Sequence, residues 1–167
     1  MDSRTEVENQ IKALSDRSWL MPSQSVVYEE LLPFLDGFHR VVNLYGLQGV
    51  GKTFLAHILC KQDLADYVPS PDLVRPAGRP LVIDNAPFER TPVRGMRNQM
   101  RLHNLRQVIL VTRYRAEDAI PAFTLSITDE DIDYFRANLF RYLDLRLPHC
   151  SVLNLWEHLK LIGCVYG

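Results

Sequence analysis

One segment of this sequence has the residue types and the spacing that bind phosphate groups. It reads G-x-x-x-x-G-K-T from Gly46 to Thr53. Glycines let backbone N–H groups turn inward around an anion, and a helix that starts there adds its positive end. Lys52 can then reach the β- and γ-phosphates of a nucleotide, and the Thr53 hydroxyl can hold Mg²⁺. The residues of this loop that we expect to contact a nucleotide are Gly46, Gln48, Gly49, Val50, Gly51, Lys52, Thr53 and Phe54.

A carboxylate at the end of an apolar run supplies the second element of this chemistry. The run Leu81-Val82-Ile83 is followed directly by Asp84. Downstream of a phosphate loop, an apolar strand of this kind brings its carboxylate to the metal, so we expect Asp84 to contact Mg²⁺ directly or through water. The alternative is that Asp84 only caps the turn after the strand.

A third apolar run ends in a polar pair. Residues 108–111 are apolar and precede Thr112 and Arg113. Ligands of open α/β sheets bind outside the carboxyl ends of the strands, which places this pair beside the γ-phosphate. There Thr112 can orient the attacking water, and Arg113 can sense the γ-phosphate or stabilise its charge. The alternative is a strand end that carries a solvent-exposed arginine.

These residues must be positioned by strands that alternate with helices along the chain. Apolar runs predict strands at 40–45, 80–84, 107–112 and 123–127, and a short edge strand at 65–68. Helical spacing predicts helices at 3–14, from Ser23 or Ser25 to Phe38, and at 52–61, 91–105, 129–143 (capped by Thr128) and 151–161 (capped by Ser151 and stopped by Gly163). This alternation indicates an α/β fold, a three-layer sandwich with a mostly parallel sheet that is buried on both faces.

The three chemical elements, in this order, resemble those of the P-loop ATPases of the AAA+ and STAND groups. Residues 49–56 are similar to both groups, whereas the Thr-Arg pair at 112–113 is closer to the STAND sensor. Residues 121–125 and 128–131 are similar to the strand and helix that lead into an AAA+ lid. The resemblance covers residues 22–145. It implies a P-loop NTPase core with a strand inserted between the loop strand and the Asp strand, and ATP and Mg²⁺ as ligands.

The sequence departs from the AAA+ pattern at its catalytic position and at its lid. Asn85 stands where AAA+ enzymes place a glutamate, and an amide cannot accept a proton from water. The resemblance therefore implies ATP binding with slow or partner-stimulated hydrolysis, in which Asn85 positions water. The resemblance also leads us to expect a truncated lid. We divide this single domain into an N-terminal helix and linker at 1–22, an ATPase core at 23–145 and a C-terminal helix at 146–167, which is a lid remnant or a docking helix.

Arginines form a stripe of positive charge on the predicted 91–105 helix. Arg90, Arg94, Arg97 and Arg101 have the spacing of one helical face, and no acidic residue occurs between Arg90 and Glu117. An acidic block from Glu117 to Asp133 follows. The stripe has three possible roles: it binds a nucleic-acid backbone, it meets the acidic block of another copy or a partner protein, or it is only a solvated helix face.

Composition limits the other classes of function. The chain has 167 residues and a net charge of −1, so bulk charge does not indicate nucleic acid or membrane as a partner. Three cysteines without metal-ligand spacing fit a reducing compartment. We find no membrane-length apolar run, and the polar N-terminus does not resemble a signal peptide. We therefore predict a cytoplasmic protein with no membrane partner.

The function that these residues favour is an Mg-ATP-dependent switch. The nucleotide would control self-assembly into a homo-oligomer, or the binding of a partner protein or nucleic acid. One alternative is a small-molecule or nucleotide kinase, because such enzymes share the phosphate loop. A further alternative is a non-hydrolysing adaptor that the nucleotide stabilises. We expect ATP rather than GTP because the sequence has no N-K-x-D element.

Overall fold

A parallel sheet of five strands lies at the centre of the part of the chain that the structure describes. The computed structural model describes residues 3–36, 38–86, 93–116 and 119–166. The strands are β1 (Val41–Tyr45), β2 (Asp66–Val68), β3 (Leu81–Ile83), β4 (Val108–Thr112) and β5 (Ala122–Thr124). Their order is β2-β3-β4-β1-β5, and every pairing is parallel. The predicted parallel sheet is confirmed, and β4 is the strand inserted between β1 and β3.

Helices cover both faces of this sheet. They are α1 (Ser3–Leu14), α2 (Pro22–Leu31), α3 (Lys52–Lys61), α4 (Val93–Leu102), α5 (Asp129–Leu143) and α6 (Leu155–Tyr166). None of the described helices is long and apolar enough to cross a membrane.

Alternate residues of each central strand enter different cores. Val42 and Ile109 pack with residues of α2 and α3 on one face of the sheet. Val108 and Leu110 pack with α4 on the other face, where Met100 is buried. Both faces of the sheet are therefore buried, which confirms the three-layer α/β architecture.

The terminal helices form a third cluster. Val7 and Ile11 of α1 pack with Leu139 of α5 and Ile162 of α6. The ring of Trp19 lies against this cluster and stacks on Tyr142, with 4.7 Å between ring centroids. The first and last described helices thus meet beside α5.

Several predicted element boundaries were wrong. The second helix ends at Leu31 instead of Phe38, because a 3-10 turn begins at Leu32 and Pro33 has no N–H to continue the α-helical ladder. The last helix begins at Leu155 instead of near Ser151, and it continues past Gly163 to Tyr166. Strand β5 ends at Thr124 rather than at residue 127.

A single carboxylate joins the N-termini of two helices. Asp131, which is fully buried, accepts hydrogen bonds from the backbone N–H of Ser23 at 2.8 Å and from its hydroxyl at 2.7 Å. It also accepts from the backbone N–H and the hydroxyl of Thr128, each at 2.8 Å, so Thr128 is the N-cap of α5 as predicted. Burial opposes ionisation, but these hydrogen bonds outweigh it and hold the pKa of Asp131 below its ordinary value.

We predict that Asp131→Asn lowers the free energy of unfolding by about 1–3 kcal/mol at neutral pH, because an amide cannot accept all four hydrogen bonds. A carboxyl with a lowered native pKa stabilises the fold above its ordinary pKa and loses that effect as the pH falls through the native value. The difference between the wild type and the variant should therefore shrink below about pH 4. Urea unfolding at several pH values measures it. Asp129→Asn, in the same helical turn but exposed, is the matched control. An equal, pH-independent loss in both variants would contradict the assignment.

Candidate nucleotide-binding site

The loop between β1 and α3 has the backbone geometry that an anion-binding loop needs. Gly49 and Gly51 adopt positive φ angles of 85° and 86°, a left-handed conformation that side chains with a Cβ rarely tolerate. Gly51 is also the N-cap residue of α3. The start of this ten-residue helix is therefore turned toward the interior of the loop.

Lys52 is folded back over the loop that precedes it. Its Nζ donates hydrogen bonds to the carbonyl oxygens of Gly46, at 2.7 Å, and Leu47, at 2.8 Å. Burial lowers the pKa of Lys52; the negative charge of Asp84 opposes this shift and the positive charge of Arg113 adds to it. The ammonium group thus lies against the loop, next to the carbonyl oxygens of Gly46 and Leu47.

The structure brings Thr53 and Asp84 together, although they belong to different elements. Thr53 Oγ1 donates to Asp84 Oδ2 at 2.7 Å. Asp84 follows β3 directly, and only 3% of its surface is exposed. A hydroxyl that donates its hydrogen to a carboxylate keeps its lone pairs for a cation. This pair, with the oxygens of a nucleotide and of water, fits the all-oxygen coordination that Mg²⁺ prefers.

Thr112 and Arg113 lie at the carboxyl end of β4 and line the same cavity. Thr112 Oγ1 donates to the carbonyl oxygen of Tyr114 at 2.6 Å and accepts from Asn43 Nδ2 at 2.8 Å. Its hydroxyl therefore retains one lone pair, which can accept a hydrogen bond from water. The guanidinium of Arg113 is exposed, and its Cζ lies 5.4 Å from the centroid of the Tyr114 ring. This is within the limit of about 6 Å for a cation–π contact.

Asn85 is held beside Asp84 by its backbone and its amide. Its φ angle is 49°, in the left-handed region that asparagine tolerates better than most residues. Its N–H donates to Asp84 Oδ1 at 2.8 Å, and its side-chain Nδ2 donates to the carbonyl oxygen of Pro69 at 3.1 Å. Asn85 thus stabilises the turn after β3, a role that does not depend on acid–base chemistry.

Three polar residues of the site were missed by the sequence analysis. Tyr67 of β2 donates its hydroxyl hydrogen to Asp84 Oδ2 at 2.9 Å. Burial, followed by the negative charge of Asp84, raises the pKa of Tyr67 well above its usual range, so the phenol stays protonated. Gln24, which is fully buried, donates to the carbonyl oxygen of Gly51 at 3.1 Å. Asn43 donates a hydrogen bond to the Thr112 hydroxyl. Its position as a polar residue inside an apolar strand was the sequence signal that could have identified it.

The side chains of this site open into one large cavity. Its volume is about 670 Å³, within the range of roughly 300–1,000 Å³ that is typical of ligand pockets. Lys52, Thr53 and Asp84 form its polar end. Trp19, Met21, Phe54, Phe135, Leu155 and Leu159 supply apolar wall. A polar end for phosphates beside an apolar wall for a base fits a nucleotide.

The start of α6 is attached to the outer side of the phosphate loop. The N–H of Leu155 donates to the carbonyl oxygen of Gly49 at 2.9 Å. Asn154 Oδ1 accepts from the N–H of Trp156 at 2.9 Å, which caps α6, and the buried Leu155 side chain packs in the core with Val50. The loop and the start of α6 are therefore in direct contact.

The predicted arginine stripe is described only in part. Arg90 lies outside the described residues, and so does the side chain of Arg94. Arg97 and Arg101 are exposed, one turn apart on α4, whereas Met100 on the same helix is buried. The described part of the stripe thus faces away from the sheet.

Comparisons with known proteins relate this fold to replication initiators. No protein-family model matches the chain, and no curated protein matches it significantly. A solved structure of a DNA replication initiation factor aligns with a TM-score of 0.58 at 15% identity. The replication initiator DnaA bound to AMPPCP and single-stranded DNA aligns with a TM-score of 0.54 at 16% identity. Each alignment covers 84% of this chain and 59% of the other, so this chain spans less than two thirds of either neighbour.

The strand order, the glycine loop after β1 and these neighbours define a parallel α/β fold with a P-loop core. This confirms the α/β P-loop core that the sequence analysis predicted. At identities of 15% and 16% the likeness concerns the fold alone.

We predict that Gly49→Ala lowers the free energy of unfolding by at least about 1–2 kcal/mol, because alanine is strained at this positive φ. A Cβ at this position would also lie 2.0 Å from Asn154 Oδ1, so the cap of α6 must move. Urea unfolding measures the loss. Gly78→Ala is the matched control, since its Cβ would meet nothing within 4 Å, and it should change stability by less than about 0.5 kcal/mol. Equal effects of the two substitutions would argue against the described loop.

Proposed function

We propose that this chain binds Mg-ATP and acts as a nucleotide-dependent switch that controls self-assembly or the binding of a partner protein or nucleic acid. The observation that carries this proposal is the hydrogen bond of 2.7 Å between Thr53 and Asp84 at the start of α3. It joins the end of a glycine loop to a buried carboxylate, beside a lysine and a cavity of nucleotide size.

Each residue of the site has a role in this proposal. The backbone N–H groups of Gly49–Lys52 and the ammonium of Lys52 bind the phosphates. Thr53 and Asp84 hold Mg²⁺, which when bound neutralises phosphate charge. Thr112 accepts a hydrogen bond from water, and Arg113 contacts the γ-phosphate. Gly46, Gln48, Val50 and Phe54 shape the loop and the adjoining wall.

Hydrolysis in this proposal is slow or depends on a partner. Among the described residues that line the cavity, the carboxylates are Glu8 and Asp84. The three hydrogen bonds of Asp84 commit it to Thr53, Tyr67 and the N–H of Asn85. The amide of Asn85 cannot act as a base. These features also favour the second candidate function, a non-hydrolysing adaptor that the nucleotide stabilises.

Two observations support a nucleic acid or a second copy as the partner. Arg97 and Arg101 present positive charge to solvent on α4. DnaA, whose fold this chain shares, is described with single-stranded DNA as well as AMPPCP. The same arginines are equally suited to the acidic residues of α5 in a neighbouring copy, where Asp129, Glu130 and Asp133 are exposed.

We predict that Lys52→Ala weakens ATP binding about 10- to 100-fold, the effect of losing hydrogen bonds from a charged group worth about 1.5–3 kcal/mol. Calorimetric titration in the presence of Mg²⁺ measures the affinity, phosphate release measures turnover, and light scattering shows whether ATP increases the mass. Lys160→Ala, which removes an exposed lysine that pairs with Glu157, is the control and should bind ATP as the wild type does. ATP binding that survives Lys52→Ala would exclude the loop as the phosphate site.

We predict that replacing Arg97 and Arg101 by alanine weakens binding to single-stranded DNA and reduces its salt dependence. The slope of log K against log salt is negative, and each lost phosphate contact should reduce its magnitude by about 0.7. The loss of both arginines should reduce it by about 1.4. Fluorescence anisotropy at several salt concentrations measures the slope. Arg141→Ala, an exposed arginine on α5, is the control. If the double variant binds DNA normally but no longer grows in mass with ATP, the face serves self-assembly.

A further inference from the structure

Tyr67 reaches the metal-side carboxylate because of the register between β2 and β3. Tyr67 pairs with Val82, so in a parallel sheet their side chains point to the same face. Asp84 lies two residues after Val82 and points to that face as well. Helix α3 covers this face and contributes Thr53. This register therefore places the Tyr67 hydroxyl of the edge strand next to the Asp84 carboxylate, which Thr53 also contacts.

The hydrogen bonds of Asp84 fix the plane of its carboxylate. Oδ2 accepts from Thr53 Oγ1 at 2.7 Å and from the Tyr67 hydroxyl at 2.9 Å. Oδ1 accepts from the N–H of Asn85 at 2.8 Å. The terminal torsion of an aspartate is broad, so the carboxylate turns freely unless its oxygens are held. With both lone pairs of Oδ2 occupied, Oδ1 keeps one lone pair for a further contact.

The Tyr67 ring is itself held in place. It packs against the core beneath α3, and the His57 ring lies 4.8 Å away, centroid to centroid, at an interplanar angle of 34°. The hydroxyl is therefore presented to Asp84 by a half-buried ring that packs against the core. His57 follows Thr53 by one helical turn, so α3 supplies one side-chain partner of Asp84, Thr53, and contacts the other, Tyr67.

From this geometry we propose that Tyr67 is a positioning residue of the Mg²⁺ site. Its hydroxyl holds the carboxylate of Asp84 in a metal-binding orientation. The inference rests on the proposed function, because it assumes that Thr53 and Asp84 hold the metal. Residues that orient metal ligands in this way typically change metal affinity by about 10–100-fold when they are replaced. Tyr67 acts through Asp84 and need not touch the nucleotide.

The test is the Mg²⁺ dependence of ATP binding by the full chain. The readout is the ratio of the ATP dissociation constant in EDTA to that in Mg²⁺, which isolates the metal contribution. Tyr67→Phe should reduce this ratio about tenfold and leave ATP binding in EDTA unchanged. Tyr134→Phe is the matched control, since it removes a hydroxyl that donates to the Ser18 carbonyl oxygen, and it should leave the ratio unchanged.

A double-mutant cycle separates positioning from general stability. If Tyr67 acts through Asp84, Tyr67→Phe should have no further effect on the ratio in an Asp84→Asn background. Equal weakening in EDTA and in Mg²⁺ would reduce Tyr67 to a structural role and overturn the inference. A wild-type ratio that Tyr67→Phe leaves intact overturns the inference while the proposed function stands. Failure of the wild type to bind ATP, or to respond to Mg²⁺, overturns both.

Discussion

The hydrogen bond between Thr53 and Asp84 is the contact on which the candidate site depends. A carboxylate that is only 3% exposed must find donors, and here they come from the first turn of α3, from β2 and from the turn after β3. Because these elements are far apart in sequence, the carboxylate ties the phosphate loop to the edge half of the sheet. The same contact leaves the lone pairs of the Thr53 hydroxyl available for a further partner.

The position of the other site residues follows from the parallel sheet, in which the carboxyl ends of the strands lie at one edge. Parallel strands bring their carboxyl ends together, so the loop after β1, Asp84 after β3 and Arg113 after β4 meet around one cavity. The terminal helices then complete its wall. Helix α6 contacts the loop through Leu155 and Gly49, and it packs on α1, so the first and last described helices meet beside the candidate site.

The sequence predicted those features that depend on local patterns. The glycine spacing, the apolar strand before Asp84 and the Thr128 cap are local, and the sheet and the cap are confirmed. The contacts of Tyr67 and Gln24 depend on strand register and on how a helix packs over the loop, neither of which a local pattern encodes. The start of α6 was misplaced because Ser151 and Asn154 are both good caps, and only the contact with the loop selects Asn154. Asn85 was interpreted as the replacement of a glutamate that acts as a base, and its left-handed backbone gives a second reason for its residue type.

The most direct test of the account is an experimental structure of the chain with Mg²⁺ and a non-hydrolysable ATP analogue. The account predicts that the phosphates lie against the backbone N–H groups of residues 49–52, with the metal beside Thr53 and Asp84. It also predicts that the base lies against the apolar wall of the cavity, which includes Trp19, Phe135 and Leu155. An analogue bound elsewhere, or a metal that avoids both Thr53 and Asp84, would contradict the account.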